Sequence, residues 1–282
     1  MTKWFNLWKK YRIGLFIFVT VVTAIYIFPI IWTFITSLRP TQDIYRYPPT
    51  IIPGAVTPQN YIYVLTQMKG FLRYFLNSVM VTFITAVIVI ISSAMGGYAF
   101  GMRKFRGQNM LFAAVIAVLM IPYLMYLIPI FIMEDKIGLR NTWWGLVLPY
   151  AALNLPWGLL IMRGAFSTIP LDIRDAAVID GCNEFQFWYR VMLPITRPAL
   201  AATSIITFVF AWQEYMFVST LMTKNEWQTL PVGIVWIRDE LQTLAYGRVG
   251  ATIMLSIIPV IILFVVFRNF FIKGLSEGML KG

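Results

Sequence analysis

The chain has 282 residues, 59% of them hydrophobic and 12% charged, with a net charge of +11, one cysteine and no histidine. A charged fraction about half that of an ordinary soluble domain cannot cover a water-soluble core, so this composition belongs to a protein surrounded by lipid. Cys182 alone excludes an internal disulfide, and the missing histidine excludes Ser-His-Asp chemistry and histidine metal sites; no metal site is expected.

A charge at mid-bilayer is costly and a spanning backbone must pair its own polar groups, so spans read as charge-free intervals. Six occur, at 13–38, 74–102, 107–133, 141–162, 198–223 and 249–267, each near the roughly 20 residues a helix needs to cross hydrocarbon. The predicted fold is all-α, a polytopic membrane protein whose six transmembrane helices make one transmembrane domain over 1–282. The first twelve residues carry Lys3, Lys9, Lys10 and Arg12, like the n-region of a signal peptide, but the apolar run behind them is too long, so it reads as an uncleaved first span.

Six spans put both termini on one side. That side would hold 14 of the 23 bases, including Arg103, Lys104, Arg106, Arg163, Arg174, Arg190 and Arg197, which makes it cytoplasmic. The bases cluster at the ends of apolar runs, where topology and anionic lipid account for them, and nucleic acid is not an expected partner. Prolines inside the spans (Pro29, Pro122, Pro129, Pro149, Pro156, Pro259) read as kinks, and Gly97 with Gly101 as a G-x-x-x-G face calling for a partner bundle.

The fifth interval contains Glu214. Lining a water-filled path, a structural hydrogen bond and snorkelling to the interface are its three readings, since a lone carboxylate facing lipid would cost roughly 2.5 to 3.5 kcal/mol. Asn77, Asn154, Trp157, Trp212, Gln213, Glu214 and Tyr215 have the aromatic, amide and carboxylate character of a polar-solute path; an interfacial belt is the competing reading for the aromatics, and the one expected for Trp143, Trp144 and Tyr150.

The loop 163–197 is too structured for a connector. Pro170 suits a first helical turn, Gly181 a left-handed stop, Asn183 with Gln186 a capping box, and Pro194 the end of a second helix. Ala177 and Gly181 stand one turn apart on a face with almost no side chain, while Phe185, Trp188 and Met192 form an apolar stripe. By spacing alone this is a docking knob or an amphipathic helix on the lipid surface.

The run Asp175-Ala176-Ala177, Asp180-Gly181, then Leu193-Pro194, resembles the EAA coupling loop of the permease subunits of binding-protein-dependent ABC importers, with Asp175 where Glu is usual and Cys182 where Ala is. Tyr98-Ala99-Phe100, Arg103 to Gly107, Gly138 to Thr142, Gly145-Leu146, Trp212 to Tyr215, Phe271 to Gly274 and Gly278 to Gly282 extend the resemblance along the carbohydrate-uptake branch, in its MalG-like form.

The resemblance implies a non-catalytic subunit of the bacterial cell membrane forming half of a path for a sugar, oligosaccharide or sugar derivative. Glycerol phosphate or a polyol is the alternative solute. Its implied partners are a homologous second permease, two cytoplasmic ATPase subunits that bind ATP and Mg, an extracytoplasmic solute-binding protein, and lipid. Asp175, Ala176, Ala177, Asp180, Gly181, Leu193 and Pro194 would couple to the ATPase. No Gly-x-x-x-x-Gly-Lys-Ser/Thr loop occurs in the sequence, so the chain itself is expected to hold no cofactor. An ion-coupled secondary transporter would place several ionisable groups in its spans, where only Glu214 is found, and a membrane enzyme would need paired carboxylates there.

Overall fold

The computed structural model describes residues 2–47, 54–240 and 246–279, and among them every regular element is helical. Among the described residues, four helices are long and apolar enough to cross a membrane: α1 (Thr2–Ser37, apolar from Ile13), α3 (Phe71–Met102), α6 (Trp144–Ser167) and α12 (Tyr246–Met279, apolar to Arg268). Shorter helices include α2 (Gln59–Thr66), α4 (Gln108–Ala117), α5 (Leu127–Ile137), α7 (Asp172–Ile179), α8 (Glu184–Ile195), α9 (Arg197–Gln213), α10 (Met216–Leu221) and α11 (Leu230–Glu240).

The chain divides into two compact units, Met1–Lys69 with Trp236–Ile258, and Gly70–Val235 with Pro259–Gly282. In the first, Asn60 on α2 is a buried tie: its side-chain amide donates to the carbonyls of Ser37 (2.9 Å) and Arg39 (2.8 Å) at the end of α1. In the second, α3 and α6 pack along their lengths. A Cβ on Gly97 would lie 2.5 Å from Met162 Cβ and 2.9 Å from the Arg163 backbone nitrogen, and one on Gly101 3.0 Å from the Arg163 carbonyl. The G-x-x-x-G face expected to await another subunit is thus spent within the chain, on α6. Ser93, Gly158 and Thr203 continue the contact where α9 joins the pair.

Two expected spans differ in shape. The third, 107–133, bends by 96° between Met120 and Tyr123. Pro122 disfavours helical backbone in the residue before it, and Ile121 is extended, at φ −92° and ψ 125°. The Val118 carbonyl, which Pro122 cannot serve, accepts from Ile121 N–H at 3.3 Å and from the Tyr126 hydroxyl at 3.0 Å. The fifth, 198–223, is no single helix: α9 stops at Gln213 and Glu214 is extended, at φ −67° and ψ 128°, before α10 begins. Before it, α8 and α9 meet at a 77° bend between Ile195 and Arg197.

Candidate functional site

The loop after α6 is built as its local signals require. At the end of α7, Cys182 N–H donates to the Ala177 carbonyl (2.9 Å) and Gly181 N–H to that of Val178 (3.0 Å), the two bonds of a Schellman stop, with Gly181 at φ 76°. Such a stop favours an apolar contact between the residues that Cys182 and Ala177 occupy, and both pack in one cluster. Asn183 then caps α8: its side chain accepts from Gln186 N–H (2.8 Å), and Gln186 Oε1 accepts from Asn183 N–H (2.9 Å).

Pro194 does not end α8, which runs one residue further to Ile195. Having no N–H to give the carbonyl four residues back, it follows six residues of π-helix, Phe187–Met192, where the register is already widened by one residue. This widening splits the expected stripe: Met192 is fully buried, Trp188 half-buried, and Phe185 is 69% exposed.

The base of the loop is seated on the spans. Tyr98 of α3, Met162 and Phe166 of α6, Ala177 of α7, and Phe187 and Met192 of α8 bury one another, with Leu193 packed at the edge. Ala177 therefore faces this core and is not free for close approach by another surface. Asp175, Ala176, Asp180, Gly181 and Pro194 are exposed, as are Leu171, Val178 and Ile179, the last by 86%. Nothing lies within 4 Å of the position a Gly181 Cβ would take.

A polar hub fastens the same base. The Glu184 carboxylate accepts from the Tyr98 hydroxyl and pairs with Arg103, just beyond α3, and with Arg174 of α7 at 3.5 Å. Its partial burial works to raise its pKa, but the Tyr98 hydrogen bond and the two guanidinium groups outweigh that and hold the carboxyl below its ordinary value. Sequence reading missed this hub because its members are dispersed.

The seven path residues separate. Glu214 is buried, accepting from the Tyr150 hydroxyl (2.6 Å) and from the N–H groups of Phe217 (2.9 Å) and Val218 (3.3 Å), so the carboxylate both breaks the helix and caps the next one. Tyr150, expected in an interfacial belt, is fully buried in that bond; Trp143 and Trp144 are exposed. Asn77 is buried and donates to the carbonyls of Glu226 and Gln228, both at 2.9 Å, while accepting from Trp143 at 3.3 Å. Asn154 bonds back to the Tyr150 carbonyl at 2.8 Å. Trp212 is buried, stacked on Phe208 and edge-on to Phe75. Only Trp157, Gln213 and Tyr215 present exposed surface.

Glu134 was also missed, because it stands one residue beyond the third apolar run. It is 1% exposed under Gly145, and its Oε2 has no hydrogen-bond partner among the described residues.

Residues 93–281 match the family described as binding-protein-dependent transport system inner membrane component. The arabinooligosaccharides transport system permease protein AraQ of Halalkalibacterium halodurans is 32% identical over 93% of this chain and 93% of its own length. The trehalose/maltose transport system permease protein MalG of Thermococcus litoralis is 30% identical, covering 96% of this chain and 97% of its own. In fold, a chain of a bacterial ABC transporter involved in the import of the acidic polysaccharide alginate superposes with a TM-score of 0.80 at 23% identity, over 93% of this chain and 97% of that one. The chain thus belongs to the family of binding-protein-dependent transport system inner membrane components, as a multi-pass membrane protein.

Proposed function

We propose that the chain is a permease subunit of an ATP-driven importer of sugars, oligosaccharides or sugar derivatives. It crosses the membrane six times, with both termini and the loop 163–197 cytoplasmic, and pairs with a homologous permease to enclose the path. A solute-binding protein delivers the solute from outside. ATP and Mg are held by two ATPase subunits beneath, and this chain catalyses nothing itself.

The observation that carries the coupling role is an exposed tip on a seated base. Leu171, Val178 and Ile179 present apolar surface on and beside α7, flanked by Asp175 and Asp180, while Ala177, Phe187 and Met192 lock the loop to α3 and α6. An element fixed at one end and apolar at the other suits a lever: the tip enters a cleft of the ATPase, and closure of the ATPase pair on ATP moves loop and spans together between inward-open and outward-open states. Ala176 keeps the approach close, Gly181 ends α7 in its left-handed stop, and Asp175 and Asp180 supply hydrogen bonds or ion pairs.

Replacing Val178 and Ile179 by serine tests this. The expected result is a chain that inserts and pairs with its permease partner but loses the ATPase subunits on purification, together with ATP-dependent uptake. Undiminished ATPase co-purification and uptake would overturn the coupling role.

A further inference from the structure

The first unit contains a polar cleft that nothing above uses. It has a volume of about 560 Å³ and is lined by side chains from the stretch after α1, from α2 and from the start of α12, including Gln42, Gln59, Gln67, Thr57, Tyr63 and Arg248. Among the described residues, no acidic side chain lines it. In the proposed topology it faces the extracytoplasmic side.

Arg248 gives the cleft its character. Its guanidinium carbon sits over the Tyr63 ring, 3.7 Å from the centroid, and it pairs with no carboxylate among the described residues. A guanidinium with one flat face covered keeps its edge N–H groups, the fork that matches a carboxylate two bonds at a time. The same stacking removes that face of Tyr63 from any sugar ring, so this cleft does not read a saccharide by aromatic contact there. Charge and the amide and hydroxyl groups of Gln42, Gln59, Gln67 and Thr57 are what it offers.

The walls are fixed before any ligand arrives. Asn60 holds α2 to the end of α1, Thr57 N–H donates to the Leu38 carbonyl at 2.8 Å, and a Cβ on Gly247 would lie 2.6 Å from Asn60 Nδ2, so α12 can approach only because position 247 is bare. A stacked cation on fixed walls carries little ordering cost on binding.

We propose that this cleft binds the carboxylate of an acidic saccharide on its way into the transporter, with Arg248 as the group that selects it over the neutral sugar. This rests on the reading of the chain as a carbohydrate importer subunit.

The test uses the complete complex, with its partner permease, ATPases and binding protein, in proteoliposomes. Uptake of a neutral oligosaccharide and of its C6-oxidised uronate is measured for wild type, Arg248→Gln and Arg248→Lys. The binding protein is the same throughout, so its own preference cancels when uronate-to-neutral ratios are compared. The expected result is a ratio at least tenfold lower in Arg248→Gln, with Arg248→Lys, which keeps the charge and loses the fork, in between. If Arg248→Gln does not assemble, the Lys variant alone decides, by a ratio at least threefold lower. An unmoved ratio, or equal losses for both sugars, overturns the inference, and so does a wild-type complex that imports only the neutral sugar. A wild-type complex that imports neither overturns the carbohydrate reading itself.

Discussion

The Tyr150 hydroxyl donates to Glu214 Oε2 over 2.6 Å, joining two buried side chains 64 positions apart, and the same oxygen lies 3.3 Å from the N–H of Val218. One carboxylate thus fixes α6 to the break between α9 and α10.

The Tyr150 hydroxyl and Val218 N–H share Oε2 while Phe217 N–H reaches both oxygens, at 2.9 and 3.1 Å, so in Glu214→Gln the amide donor faces either that pair or the Phe217 N–H, donor against donor in a dry site. The expected cost is about 1 to 3 kcal/mol of stability, with about 1 for Tyr150→Phe. Thermal unfolding of the purified complex should show the double variant costing less than the sum of the singles; additive costs would show the pair uncoupled. The assembled Glu214→Gln complex should keep the solute range of wild type, and a changed range would place the carboxylate in the path.

At Gly181 the strain is purely of backbone, because φ is 76° and no atom stands where a Cβ would go. Asn, which tolerates the left-handed region, should therefore be milder than Ala, and Val worse than both, at roughly 1 to 2 kcal/mol for the non-glycine residues. Measured as uptake per chain inserted, the order Asn, Ala, Val separates strain from steric collision; a loss that tracks side-chain volume alone would point to a partner surface pressed against this position.

Gly97→Ala should damage the chain even without its permease partner. The added methyl meets Met162 Cβ and the Arg163 backbone within α3–α6 packing, and overpacking of that kind costs typically 1 to 3 kcal/mol. A lower yield of folded chain expressed alone in membranes is the expected readout, whereas a defect seen only in the assembled complex would return this face to the subunit interface.

The Glu184 hub gives a dependence on pH. Its carboxyl is held below the usual value of about 4.3, so its contribution to seating the loop is complete above that pH and is lost as pH falls through the lowered native value. Hydrogen exchange of the amides of α7 and α8, followed downward from pH 6, should show wild-type protection declining in the acid range and Glu184→Gln starting lower with a flatter profile. Identical profiles would remove the hub from the loop's anchorage.

What the sequence made legible was what neighbours decide among themselves. Gly181, Asn183 with Gln186, and the long apolar intervals rest on bonds within a turn or on a length matched to a bilayer, and α3, α6 and the ends of the loop follow from them. The break at Glu214 was hidden because 207–223 contains no proline or glycine; a carboxylate secured from Tyr150 competes for the helix's own N–H groups instead. Pro122 was visible, but not whether its helix would kink or turn through 96°. Spacing likewise marked Gly97 and Gly101 as a close-packing face without naming the mate. Path residues such as Asn77 and Trp212 were chosen for chemistry that a buried structural bond or a core ring stack uses equally well.

The π turn at Phe187–Met192 also acts as a phase setting. Each residue in an α-helix advances the chain by about 100° around the axis, so the widened turn absorbs one residue's worth of rotation before Leu193. Straightened to ordinary α-helix at constant length, it would turn the residues that follow by roughly that angle relative to the loop, whereas removing one residue as the turn straightens would leave them facing as they do. The angular relation between the proposed coupling loop and the helix behind it thus rests on how six positions of α8 are wound, and not on the identity of any one of them.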